Sequence, residues 1–196
     1  MILIIGKSCS SISIIKLMEE SHLHFVKCKG NLFVKLVYNF CCKSKRFLLV
    51  VHVTDLKPDG FILCIVDAKK ALFNFCLCNF IMIPFLLIKS LFDKNGEKLG
   101  FEPCRSIPDF PFNGNFKWNE HGENIGKIMM VYVTKEGRGQ HVATRMYKLL
   151  FDKVKRVDAH VDTDNLSSFV LHSKLDSKLT FLSPMANSYL FTFIRE

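Results

Sequence analysis

A glycine-bearing turn between an apolar run and an amphipathic helix is the part of this sequence best suited to chemistry. Ile128 to Val133 is β-rich, Lys135 to Gln140 is polar and contains glycine, and apolar residues recur at helical spacing from Val142 to Val154. The first amides of a helix point towards its positive dipole end and attract anions. The turn is therefore a candidate pyrophosphate site, the alternative being an ordinary strand–helix loop in which glycine serves the turn.

Two motifs in this region resemble those of the GNAT superfamily of N-acetyltransferases. Arg138-Gly139-Gln140-His141-Val142-Ala143 resembles the acetyl-CoA signature, an Arg or Gln followed by x-x-Gly-x-Gly/Ala. The segment Asn165 to Leu175 resembles the second signature, in which an Asn opens a helix, and Asn95 to Phe101 is similar to a strand turn of the family. The resemblance covers residues 93–196 well and the first ninety residues only loosely.

The chain departs from the family pattern at three places. His141 stands where the family has its first motif glycine, and a Cβ there crowds the pyrophosphate or shifts the loop. His172 stands where many members carry the Tyr that protonates the leaving thiolate, and Asp176-Ser177 replaces Gly-Phe. These departures leave the fold implied by the resemblance intact and bear on catalysis.

The resemblance implies one α/β (α+β) domain over residues 1–196, with a mixed, largely antiparallel sheet flanked by helices. Residues 93–196 would form its acyl-CoA-binding core, with acetyl-CoA or another acyl-CoA as co-substrate, a primary amine as acceptor and no metal. The strand before the turn would bulge and splay from its neighbour, opening a gap for the pantetheine arm. The implied cofactor-binding residues are Met130, Val131, Tyr132, Val133, Arg138, Gly139, Gln140, His141, Val142, Ala143, Thr144 and Asn165.

Direct attack by an amine needs a base, and the departing thiolate needs an acid. The candidate bases are Glu123 before the strand, Tyr132 on it and Asp162 at the end of the next strand, and His172 is the candidate acid. Each residue has a plainer interpretation. Glu123 can be a solvated loop carboxylate, Asp162 part of a helix cap, His172 a surface residue, and Tyr132 a core residue.

Other elements follow from pattern and turn chemistry. Leu32 to Phe40 and Phe47 to Val53 are β-rich runs, and Lys57 to Gly60 signals the turn of a hairpin whose second strand is Phe61 to Val66. Val157 to Val161 alternates as a half-buried strand, and Tyr189 to Ile194 closes the chain as a strand. Thr163 or Asp164 caps a helix whose predicted apolar stripe comprises Leu166, Phe169, Val170 and Leu175.

An apolar run at 71–92 interrupts this order. No charged residue occurs between Ala71 and Ile88, so the run approaches the length of a membrane span. Three interpretations stay open: a membrane-spanning or membrane-surface helix, a core helix kinked by Pro84, and a foreign insertion. The segment Pro103 to Gly122, rich in Pro, Gly and Asn, is predicted to be a loop.

Charge and cysteine content indicate which partners and which cellular compartment to expect. The net charge of +9 favours anionic partners, with solvated lysines on an ordinary surface as the plainer interpretation. No nucleic-acid motif accompanies the charge, so nucleic acid is not expected as a partner. None of the eight cysteines forms a CxxC pair or zinc spacing, and with no secretory signal we expect reduced thiols in an intracellular, cytoplasmic protein. The alternative to an enzyme is a degenerate GNAT-like module that binds a membrane or an anionic partner through its basic N-terminal region.

Overall fold

The computed structural model describes residues 2–6, 10–26, 32–66, 68–78, 125–175, 177–183 and 188–194. These residues form seven strands and five helices along the described part of the chain. In chain order they are β1 Ile2–Gly6, α1 Ser11–Val26, α2 Leu32–Lys43, β2 Phe47–Thr54, β3 Lys57–Ile65, α3 Ala68–Cys78, β4 Ile125–Val133, α4 Val142–Phe151, β5 Arg156–Asp162, α5 Leu166–Ser173, β6 Lys178–Ser183 and β7 Ser188–Ile194.

All seven strands lie in one sheet, in the order β1-β2-β3-β4-β5-β7-β6. The β1–β2 and β4–β5 pairs are parallel, and the other four pairs are antiparallel. The predicted mixed, largely antiparallel sheet flanked by helices is therefore confirmed.

The helices cover the sheet on both faces because strand residues alternate between two apolar clusters. Ile14 and Met18 of α1, with Tyr38 and Cys41 of α2, pack against one face, where β2 and β3 contribute Leu49, Val51, Phe61 and Leu63. Val142, Met146 and Leu150 of α4 pack on the opposite face with Val50, Ile62, Val157 and Val161. We call these the α1/α2 face and the α4 face.

Two predictions for the N-terminal part are wrong. Leu32 to Phe40, predicted to be β-rich, lies in α2, where Tyr38 and Cys41 are three residues apart and both buried. Short apolar runs fit either period, so only tertiary packing decides between helix and strand. The hairpin turn is not at Lys57 to Gly60, which lie in β3, but at Asp55 and Leu56, whose φ angles are 50° and 65°. A two-residue turn of this kind needs positive φ at both positions, which leucine rarely adopts.

The apolar run at 71–92 is only partly described. Its first residues lie in α3, and Ala71 is buried against the α1/α2 face, whereas Phe73 and Leu77 are 68% and 66% exposed. Within the described ranges, no helix has both the length and the hydropathy needed to span a bilayer. Pro84, the turn at Asn95-Gly96, the predicted loop ending at Gly122 and Glu123 all fall outside the described residues.

Candidate functional site

The central feature of the site is a gap that opens between β4 and β5. The two strands pair only from Ile125 opposite Arg156 to Ile128 opposite Ala159. β5 continues to Asp162 and β4 to Val133, but in the described residues their outer parts do not pair with each other. The separation begins at an irregularity, because Leu63 pairs with Met130 and the next residue, Cys64, pairs with Ile128, which leaves Met129 as a bulged residue on β4. A bulge of this kind bends a strand away from its neighbour.

The β4 side chains beside the gap point alternately to the two faces of the sheet. Met130 and Tyr132 belong to the α1/α2 face, where Ser21 Oγ lies 3.3 Å from Met130 Sδ and the rings of Phe61 and Tyr132 are 6.2 Å apart. Val131 and Val133 belong to the α4 face. The strand therefore presents its backbone to the gap while its side chains are held by the two apolar clusters.

A turn, which we call the phosphate loop (residues 134–141), connects this strand to α4. Gly137 N donates to Thr134 O at 3.1 Å, and Gly139 adopts a φ of +78° with open space where a Cβ would be. His141 precedes the helix in a left-handed conformation, with φ 57° and ψ 20°, and its side chain makes no capping hydrogen bond. The position that the family fills with glycine thus has the backbone geometry that favours glycine.

Backbone amides without an intrachain acceptor converge at the end of this loop. Among the described residues, no acceptor pairs with the N–H of Gly139, His141, Val142, Ala143 or Thr144. Two guanidinium groups flank them: Arg138 Nε donates to Val133 O at 3.4 Å, and Arg145 donates to Gln140 O at 3.0 Å. The Gln140 side chain is occupied in donating to Glu136 O at 2.8 Å. Free amides, a helix N-terminus and two cations together can bind a pyrophosphate.

His172 lies in the core rather than at the gap. It is 2% exposed and packs among Tyr147, Phe191 and Phe193. Its Nδ1 is 2.7 Å from Ser168 O, and since a carbonyl only accepts, Nδ1 carries the proton and Nε2 accepts the Tyr147 hydroxyl at 2.8 Å. Burial lowers the pKa of His172, with the Ser168 carbonyl opposing. Both ring nitrogens are engaged in the core, and this placement does not support the predicted role as acid.

The predicted cap and apolar stripe of α5 need correction. Asn165, and neither Thr163 nor Asp164, caps the helix, with its side-chain oxygen accepting the Ser168 N–H at 3.1 Å. Leu166 and Val170 of the predicted stripe are 72% and 48% exposed, and the buried residue of this helix is His172. A histidine with both nitrogens hydrogen-bonded can replace an apolar core residue, which hydrophobic periodicity alone does not reveal.

Asp162 and His160 lie on the part of β5 that borders the gap. Val157, Ala159 and Val161 belong to the α4 face, so by strand alternation Asp158, His160 and Asp162 project to the opposite face. Asp162 is exposed at the end of the strand, and partial burial and then Asp164 raise its pKa. His160, which no sequence motif indicated, is half-buried and is the first residue of β5 beyond the last pair with β4.

The environment of His160 keeps its imidazole neutral. Burial and then Lys127 lower the pKa of His160 to about 4, with Asp158 opposing them. An imidazole that is neutral at pH 7 can accept a proton, and its lowered pKa makes it a weaker base than an ordinary histidine. The sequence signal that could have identified it is the alternation of Val157, Ala159 and Val161, which assigns the intervening histidine to the other face.

The described residues contain no group of three or more His, Cys, Asp or Glu side chains arranged to hold a metal ion. Cys64 is fully enclosed beneath β4, and burial raises the pKa of its thiol to about 12, against the opposing effect of the Lys127 backbone. A buried thiol of this kind acts as a small apolar side chain rather than as a nucleophile.

No protein-family model matches the sequence, and no curated protein matches it. Solved structures do match over almost the whole chain. An aminoglycoside 6'-N-acetyltransferase complexed with coenzyme A superposes with a TM-score of 0.55 at 11% identity, covering 94% of this chain and 89% of the other.

Two further structures agree with the first. An acetyltransferase of the GNAT family from Streptococcus pneumoniae matches with a TM-score of 0.52 at 10% identity, covering 94% of both chains. NAA60 from Arabidopsis thaliana, in complex with a bisubstrate analogue, matches with a TM-score of 0.52 at 14% identity, covering 96% of this chain and 95% of the other. These identities are low, and what they establish is architecture. The chain therefore has the fold of the GNAT acetyltransferases.

Proposed function

We propose that this chain is an N-acyltransferase that moves an acetyl or other acyl group from acyl-CoA to a primary amine. The observation that carries the proposal is that the bulge at Met129, the gap beyond it and the phosphate loop follow one another along a single strand and turn. In this proposal residues 93–196 supply the acyl-CoA core, and the similar aminoglycoside acetyltransferase, which was crystallised with coenzyme A, supports it.

The cofactor would occupy two connected places. Its pyrophosphate would bind the amides of Gly139 and of residues 141–144, with Arg138 beside them, and its pantetheine arm would lie along the backbone of Met130 to Val133. The open space beside Gly139 supports a close approach of an anion to the loop. A backbone N–H of β4 would then polarise the thioester carbonyl as charge develops on its oxygen.

The amine would attack the thioester carbon directly. A nitrogen–carbon bond forms, the carbon–sulfur bond breaks, and the nitrogen gives up its proton to a base. Asp162 remains a candidate for that base, and His160 joins it because it is nearer to the point where the gap opens. Tyr132 faces the same side of the sheet, and Glu123 stays a prediction outside the described residues.

Leaving-group protonation would not depend on His172. A thiol has a pKa of about 8.5, so coenzyme A can depart as a thiolate and take a proton from solvent or from the attacking nitrogen. The loss of an acid at this position lowers the rate but does not prevent the reaction. We therefore expect slow turnover rather than none.

Binding of coenzyme A is the first test. Coenzyme A at a hundred times its dissociation constant should stabilise the protein by about 2.7 kcal/mol, which raises the thermal midpoint by about 5–10 °C for a chain of this length. Arg138→Glu should weaken the binding of coenzyme A. Lys178→Glu, which reverses the charge of an exposed residue on β6, should leave the binding unchanged. No shift with millimolar coenzyme A would refute the proposal.

One observation favours a second candidate function. Because the position of the usual acid is part of the core, the chain can be a module that binds acyl-CoA without transferring the acyl group. Binding of acetyl-CoA with no amine-dependent release of free thiol across a panel of peptides, polyamines and lysine derivatives would favour this alternative.

A further inference from the structure

The end of the β2–β3 hairpin contains a polar cluster on the α4 face of the sheet. His52 pairs with Gly60 and the next residue, Val53, pairs with Pro58, so Asp59 is a bulged residue without a β2 partner. A bulge re-aims the side chain and backbone of the extra residue. Here it frees both the carboxylate and the carbonyl of Asp59 for other contacts.

The carboxylate of Asp59 is held at both oxygens. His52 Nδ1 lies 2.6 Å from Oδ1, and Thr54 Oγ1 donates to Oδ2 at 2.8 Å. An ionised carboxylate only accepts, so Nδ1 is the donor in the first of these bonds. His52 is 4% exposed, which makes this a charge-assisted bond largely shielded from water.

The carbonyl of Asp59 reaches the phosphate loop. Thr134, the first residue after β4, donates its N–H to Asp59 O at 2.8 Å, and Thr134 in turn accepts Gly137 N–H through its carbonyl at 3.1 Å and its hydroxyl at 3.3 Å. Gly137 is also packed closely, since a Cβ there would lie 3.0 Å from Val133 Cγ1, and 3.4 Å from Asp59 O. A continuous series of hydrogen bonds therefore runs from His52 to the loop.

We propose that His52, Thr54 and Asp59, which we call the hairpin latch, are positioning residues that fix the phosphate loop for the pyrophosphate of coenzyme A. The inference rests on the proposed function. The latch does not touch the cofactor. It fixes the position of Asp59, the bond from Thr134 to Asp59 fixes the start of the loop, and the loop carries the amides from Gly139 onwards.

The test compares ligands that do and do not contain a pyrophosphate. Dissociation constants for coenzyme A, ADP and pantetheine are measured by calorimetry or ligand-observed NMR on the full chain. Asp59→Ala should weaken binding of coenzyme A and ADP about tenfold, and Thr54→Val about threefold, because each removes a bond to or from a charged group. Pantetheine affinity should not change, and Thr54→Ser should restore the wild-type values.

Thr192→Val is the matched control. Thr192 Oγ1 donates to the carboxylate of Asp158 at 3.1 Å, the same kind of bond in the β5–β7 half of the sheet. This variant should lose stability without losing affinity for ADP. If Asp59→Ala does not fold, the exposed Thr54 pair, valine against serine, decides the question.

The outcomes distinguish a failure of the hairpin latch proposal from a failure of the proposed function. Unchanged affinity for coenzyme A in folded Asp59→Ala or in Thr54→Val overturns the latch, as does an equal loss for pantetheine and ADP, which indicates a general structural effect. Failure of the wild-type protein to bind coenzyme A refutes the proposed function instead.

Discussion

Replacing His141 by glycine should stabilise this protein. His141 is exposed, its φ of 57° and ψ of 20° are left-handed, and its side chain makes no hydrogen bond that caps α4. The imidazole therefore contributes no cap to offset the strain of the backbone. Removing the Cβ relieves that strain directly.

The magnitude follows from two opposing effects. A residue with a Cβ loses roughly 1–2 kcal/mol in the left-handed region, the lower figure applying to histidine because it occurs there more often than most residues. Glycine returns roughly 0.5–1 kcal/mol of this through the greater entropy of the unfolded chain. The net gain in unfolding free energy is therefore at most about 0.5 kcal/mol, or about 1–2 °C in the thermal midpoint.

Gly139→Ala is the matched opposite change. Gly139 has a φ of +78°, and no atom lies within 4 Å of the position that a Cβ would take, so alanine there adds backbone strain without a steric contact. We expect a loss of about 0.5–1 kcal/mol. Urea unfolding of the two variants and the wild type, with the m-value held as a check on two-state behaviour, measures both effects.

The affinity for coenzyme A distinguishes the effect of His141 on the loop backbone from an effect of its imidazole on ligand binding. His141→Gly should also bind coenzyme A more tightly, because the first-turn amides lose the side chain beside them. Destabilisation by His141→Gly, or stabilisation by Gly139→Ala, would refute the account of the loop backbone. If His141→Gly is more stable but binds coenzyme A more weakly, the imidazole contacts the ligand.

Three further predictions concern buried and gap-lining groups. The pKa of His160 is about 4 in the folded protein and 6.5 for the free side chain. The contribution of its neutral imidazole to stability is therefore present above pH 6.5 and is lost as the pH falls towards 4, by at most about 3 kcal/mol. In urea titrations at stepped pH, His160→Gln should flatten this fall in stability. Tyr147→Phe should cost about 1–3 kcal/mol of unfolding free energy because it leaves Nε2 of His172 without its donor in the core, and a loss below about 0.5 kcal/mol would contradict the assigned tautomer. His160→Gln and Asp162→Asn are compared by amine-dependent release of thiol from acetyl-CoA. The variant that removes the base should slow turnover about a hundredfold or more. Equal small effects of the two variants would exclude both residues as the base.

Local signals predicted the C-terminal half of the fold well. The turn before Val142, the amphipathic α4 and the alternating β5 each combine a period with a boundary residue, and each was found close to its predicted place. The gap between β4 and β5, expected from the resemblance, follows from a bulge at Met129, a shift in register that no spacing in a single apolar run can reveal.

What the sequence did not predict depended on pairing between distant residues. The helix at Leu32 to Lys43 and the turn at Asp55-Leu56 are set by packing and by hairpin twist, which override local preference. The strand β6 is an exception, because it was not predicted although it pairs with β7, its neighbour in the sequence, from Ser183 opposite Ser188. His172 was expected at the cofactor and lies in the core because Tyr147, 25 residues away, supplies its donor.

The short pairing of β4 with β5 also has a mechanical meaning. In the described residues, four residue pairs join the half-sheet of β1 to β4 to the half-sheet of β5 to β7, and α4 bridges the two halves by packing against Val50 and Ile62 of one and Val157 and Val161 of the other. The angle between the two halves therefore depends on these four pairs and on the packing of α4. A rod-like ligand seated in the gap would contact both halves beyond these four pairs, so an occupied site should hold this angle more rigidly than an empty one.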